Sequence, residues 1–154
     1  MNGKKGTEVL FYHLERASLE TVLPGLLERS LERGWRAVVQ AGSQERLAAL
    51  DTALWTYRDD SFLPHATAAA GRPERQPVFL TTEDDNPNAA RIRFFVDGAE
   101  AGELSGYDRA VFLFDGRDEA AVAQARMQWS AVKEAGHEVT YWQQNEAGRW
   151  EKKA

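Results

Sequence analysis

Two short apolar runs separated by one helical stripe constrain this chain more than any other feature. Glu8-Val9-Leu10-Phe11-Tyr12-His13-Leu14 reads as a buried strand, and Trp35-Arg36-Ala37-Val38-Val39-Gln40-Ala41 as a second. Between them Leu19, Val22, Leu23, Leu26, Leu27 and Leu31 recur at helical spacing, with Glu and Arg on the opposite side. Ser18 stands where an N-cap belongs, and Gly34 where the helix should stop. Pro24-Gly25 interrupts the stripe, so either the first turn is loose or the helix starts at Pro24, where proline is tolerated. Ser43 is placed to cap a second helix that runs to about Leu54. Strand, helix, strand, helix with short links is how a parallel sheet with crossover helices is built.

The remaining chain extends that pattern. Ala66 to Arg75, rich in Ala, Gly and charge, is expected to be an exposed loop. Pro77 to Thr81 is a short strand, and Thr82 to Ala89 an acidic connection closing on Asn86-Pro87-Asn88. Ile92 to Val96 is a strand turned by Asp97-Gly98, and Ala110 to Phe114 is another. Asp118 can cap a helix reaching Ala135, where Gly136 ends it; Val139 to Trp142 is expected as the last strand. The expected fold is a single three-layer α/β domain over 1–154, with a largely parallel, Rossmann-like sheet and helices on both faces. Its core spans about 7–143, leaving 144–154 as a polar tail.

Several chemistries are excluded or left without residues. The chain has no cysteine, so disulfides, thiolate metal sites and cysteine nucleophiles are out. A net charge of −5 argues against broad binding to a phosphate backbone. No apolar run approaches the ~20 residues of a membrane span, and the start lacks a secretory signal, so a cytoplasmic protein is expected. Neither G-x-G-x-x-G nor G-x-x-x-x-G-K-[ST] occurs, so no nucleotide cofactor is implied. Asp115 follows a strand as a magnesium-holding Asp would, but it reads better as the start of the Asp115-Gly116 turn. His13, His65 and His137 have no partner at ligand spacing, and Asp59-Asp60 and Glu83-Asp84-Asp85 read as solvated loop acids. No metal site and no catalytic constellation is expected.

Two surfaces carry a binding signal instead. On the last helix Ala121, Val122, Ala125, Trp129 and Val132 share one side, with Arg126 and Lys133 on its border. An aromatic between Arg and Lys suits an acidic peptide with an apolar tip. The stretch Leu50 to His65, LDTALWTYRDDSFLPH, ends a helix and then sets Trp55, Tyr57, Phe62 and Leu63 on a bend shaped by Pro64. Aromatics on such a bend form an anchor patch for a partner protein.

That stretch, followed by Gln76-Pro77-Val78-Phe79-Leu80-Thr81, Asn86-Pro87-Asn88, Tyr107-Asp108 and the helix ending ARMQWSAVKEAG, resembles the chi subunit of the bacterial DNA polymerase III holoenzyme. The resemblance runs from about Thr7 to Trp142. It implies a non-catalytic clamp-loader accessory subunit in DNA replication. Such a subunit binds the acidic, phenylalanine-ended C-terminal tail of single-stranded DNA-binding protein and meets DNA only through it. Arg126, Trp129 and Lys133 match the basic–aromatic tail site, with Tyr141 as an adjoining wall. Val122 and Ser130 stand where the family pattern adds basic residues, which implies weaker binding, more reliant on packing. Trp55 and Phe62, with Tyr57 and Leu63 shaping the pocket, match the region that docks the psi subunit or a repair helicase. The rival expectation, from the sheet pattern alone, is a degenerate nucleotide-binding or hydrolytic enzyme.

Overall fold

The computed structural model of the chain describes residues 7–56, 65–67 and 72–154. Its elements are β1 (Glu8–Leu14), α1 (Leu19–Glu32), β2 (Ala37–Ala41), α2 (Gln44–Thr56), β3 (Ala66–Thr67), β4 (Val78–Thr81), β5 (Ile92–Val96), β6 (Arg109–Asp115), α3 (Glu119–Glu134), β7 (Glu138–Gln144) and β8 (Trp150–Lys152). They form one sheet in the order β3-β4-β2-β5-β6-β1-β7-β8. Every pairing is parallel except β7 with β8.

Side-chain alternation along the strands separates two cores. On one face Ala37, Val39, Leu80, Phe94, Val111 and Leu113 pack under Leu23 and Leu27 of α1 and Leu47, Leu50 and Leu54 of α2. On the other, Val9, Phe11, Phe95 and Phe112 pack under Ala125 and Val132 of α3. Helices therefore cover both faces, as expected. Phe11, Phe112 and Phe95 stack in a row across β1, β6 and β5, with centroids 4.5 and 4.6 Å apart. Each such fully buried apolar side chain contributes about 1.5–3 kcal/mol.

The helix ends follow the sequence except at the start of α1. Ser43 Oγ accepts from Arg46 N at 3.2 Å at the start of α2. Asp118 caps α3 by accepting from the amides of Ala120 and Ala121 at 3.0 and 3.4 Å. Gly34 and Gly136 close α1 and α3 with φ of 84° and 90°, the left-handed step that glycine makes without strain. There Pro24 lies inside α1 rather than at its first position. The amides of Thr21 and Val22 both bond to Ser18 O at 3.1 Å, so the helix is already formed before the proline. Leu23 and Leu27 flank it at full burial, which outweighs the ~3 kcal/mol that an interior proline costs. Ser18 does not cap through its side chain; its hydroxyl pairs with that of Thr21 at 2.9 Å.

Two loop expectations are corrected. Ala66 to Arg75 holds β3 and a 3-10 turn at Pro73–Arg75. Within 144–154, expected as a polar tail, β8 forms the return arm of a hairpin with β7, so β7 is not the last strand. Asn145 builds the turn: its Oδ1 accepts from the amides of Ala147 and Arg149 at 2.9 and 3.0 Å. Trp150 then packs on Tyr12, centroids 4.8 Å apart, and ties β8 to the α1 face.

The acidic connection between β4 and β5 is held by a buried arginine. Arg93 is 0% exposed. It donates to Gln40 Oε1 at 3.1 and 2.7 Å, to the carbonyls of Glu83 and Asp85 at 2.6 Å each, and to the Tyr107 hydroxyl at 3.0 Å. Asn88 completes the brace by donating to the carbonyls of Ala37 and Gln76 at 3.1 and 2.8 Å.

Candidate functional site

The open shelf beside α3 is where sequence and geometry meet. Burial of Ala125 and Val132 fixes the roll of the helix on the sheet. Trp129, one turn after Ala125, then falls at the margin and is half-buried. Its ring meets Phe11 edge-on at 5.5 Å and Tyr141 of β7 edge-on at 5.8 Å. Lys133 Nζ stands 5.7 Å from the Trp129 ring centroid, within cation–π range. Arg126 lies one turn earlier, exposed, and its charge reaches Tyr141. The expected residues Arg126, Trp129, Lys133 and Tyr141 thus come together on one patch. Arg126 and Lys133 are not paired with any carboxylate among the described residues.

Tyr141 is anchored from below. Its hydroxyl pairs with His13 Nδ1 at 2.5 Å. Burial pushes its pKa above the ordinary phenol value, against the lowering pull of Arg126 and together with the raising effect of Glu15. The His13 ring lies so close against Gly116 that a Cβ there would collide with His13 Nε2. Gly116 therefore has a packing role besides its place in the turn, which Asp115 Oδ1 starts by accepting from Arg117 N at 2.9 Å.

Sequence reasoning missed His13 and the contribution of β8. His13 belongs to the same strand face as Phe11, so period-2 alternation was the available signal. Just past β8, Lys153 N donates to Tyr141 O at 2.7 Å. That register puts Lys153 across from Tyr141 on the α3 face, with its Nζ 3.2 Å from Glu151 Oε1.

The aromatic bend is only partly within the described chain. Trp55 sits in the last turn of α2, while Tyr57, Phe62 and Leu63 lie outside the described residues. Beyond them, His65 is 4% exposed and its Nε2 lies 3.0 Å from Asp51 Oδ1 of α2.

A crevice of about 550 Å³ opens at the C-terminal ends of β1, β5 and β6, between the starts of α1 and α3. In open α/β sheets this is where ligands bind, so the rival enzymatic reading would need it. Its cations are already engaged by the protein. Arg46 pairs with Asp97 at 3.3 Å and Glu20 at 3.7 Å, and Arg117 with Asp115 at 3.4 Å. Gly42, the one glycine of the β2–α2 turn, leaves room for the Asp97 carbonyl, into which a Cβ would run. Among the described residues no group of three or more His, Asp or Glu is placed to hold a metal ion. Among them, too, no helix is long and apolar enough to cross a membrane.

Residues 7–140 match the family model described as DNA polymerase III chi subunit, HolC. A probable DNA polymerase III subunit chi of Rickettsia prowazekii (strain Madrid E) is 24% identical over 93 residues, which cover 60% of this chain and 56% of that protein. The match therefore spans a little over half the relative's length.

Proposed function

This chain belongs to the DNA polymerase III chi subunit family, and from that premise we propose that it is a non-catalytic adaptor of the replication machinery. One end of the bridge is the α3 patch, which takes the acidic C-terminal tail of single-stranded DNA-binding protein. The observation that carries this reading is Trp129, half-buried between two cations that no carboxylate of the described residues neutralises. Its ring and that of Tyr141 give an apolar tip something to pack on. Arg126 and Lys133 supply charge for flanking carboxylates, and charge-assisted contacts of this kind are the stronger ones. The other end is the bend after α2, which docks psi or a repair helicase. α2 packs on the sheet face opposite α3, so both partners can be held at once, and avidity can follow when several tails are displayed together.

The test is a titration with a peptide carrying the acidic tail. Arg126→Ala and Trp129→Ala should each weaken binding by about tenfold, and added salt should weaken the wild type. Trp55→Ala with Phe62→Ala should lose psi or helicase association while keeping tail binding. Unchanged tail affinity in both α3 variants would remove the site.

A further inference from the structure

A second cavity lies along the other edge of α3. It is an open groove of about 530 Å³ between the helix and the segment 100–104, on an apolar lining of Ala101, Leu104, Met127, Ala131, Val132 and Ala135. Met127 is 74% exposed, the one large hydrophobic side chain in that state among the described residues. Thioether side chains at such surfaces adapt to a guest, and a partner that covered this one would recover its burial. The channel wall is pinned in place. Gln124 and Gln128 donate from α3 to the carbonyls of Gly98 and Ala99 at 3.0 Å each. Thr7 Oγ1 donates to Leu104 O at 2.6 Å from the far side.

The rim has one sign of charge. Glu100 and Glu103 line the channel, His137 stands at its end, and no Lys or Arg among the described residues takes part. The Asp84 carboxylate rests against Gly102, leaving no space for a Cβ there. Hydrogen bonds from Ser105 hold Glu103 below the ordinary carboxylate range, so it is anionic at neutral pH. From Gln124 to Ala135 the channel follows α3 for about 16 Å at ~1.5 Å per residue. That accommodates about five residues of extended peptide at ~3.3 Å each.

We propose that this channel docks a cationic peptide segment of a partner protein, with one apolar side chain against Met127 and Ala131 and flanking Lys or Arg on Glu100 and Glu103. The chemistry is the reverse of that on the opposite edge, where Arg126 and Lys133 flank Trp129. One helix then sorts two kinds of peptide by charge, and this second surface stands whether or not the first binds an acidic tail.

The probes are fluorescein-labelled Lys-Lys-Leu-Lys-Lys, its Glu-Glu-Leu-Glu-Glu counterpart and Lys-Lys-Ser-Lys-Lys, titrated against the full chain by fluorescence anisotropy. Only the first should bind, with an affinity that salt reduces. Met127→Ser should weaken it about tenfold, and Glu100→Lys with Glu103→Lys should abolish it. Arg126→Ala, on the other edge, should leave it unchanged. All these residues are at the surface, and circular dichroism would check each fold. Equal binding of the serine peptide, or indifference to both sets of variants, would overturn the proposal. Sedimentation provides the third arm. Self-association that Met127→Ser dissolves would assign the channel to a second copy of this chain and refute a peptide partner.

Discussion

Arg93→Met should destabilise the protein by about 3–5 kcal/mol. Methionine has similar reach, no charge and no donor. The substitution would leave Gln40 Oε1 without the two donors it has at 3.1 and 2.7 Å, in a residue only 6% exposed. A buried acceptor left unmatched costs about 1–3 kcal/mol. The carbonyls of Glu83 and Asp85 belong to exposed residues and can turn to water, so each of those bonds is worth about 1 kcal/mol. The loss is held to this range because a guanidinium no longer has to be kept out of water. With a urea m-value of about 2 kcal/mol/M, the unfolding midpoint should fall by about 2 M. Amide exchange in residues 82–91 should quicken before the rest of the sheet. The control is Arg91→Met, which removes an exposed arginine paired with Asp108 at 2.7 Å and should cost under about 1 kcal/mol. Equal midpoints for the two variants would refute the reasoning.

Two further outcomes concern the patch beside α3. Because burial raises the Tyr141 pKa, its contribution to stability is complete below the ordinary phenol value of about 10 and is lost as pH rises through the folded value. Tyr141→Phe should therefore lose less stability than wild type between about pH 9 and 11, since Tyr12, also raised by burial, is common to both. An identical alkaline profile would contradict this. Gly116→Ala should displace His13 and free the Tyr141 hydroxyl, at about 1–3 kcal/mol. In a His13→Ala background the same substitution should be nearly neutral, and a double-mutant cycle with no coupling would count against the contact.

What the sequence disclosed depended on the range of the interactions involved. β1, β2, β4, β5 and β6 were legible because strands buried on both faces are continuous apolar runs. β8 was not, since Glu151, Lys152 and Lys153 read as solvated and only Trp150 marks an inside; its place is set by the ladder with β7. Arg93 in an apolar strand gave no hint of its role, because its partners come from positions 40, 83, 85 and 107. At the candidate site, Arg126, Trp129 and Lys133 were readable as neighbours on one helix. The support from His13 was hidden, because it depends on a register that pairs Phe11 with Tyr141 across two strands distant in the chain.

The margins of the sheet have a consequence for how this molecule behaves when crowded. Among the described residues, one side ends in a strand of two residues and the other in a strand of three. Bare, the seven residues of β7 would present a row of open amides and carbonyls on which another chain could template itself. The antiparallel stub occupies part of that row and lines its outer rim with charge, so growth into a strand-to-strand polymer is opposed at this margin.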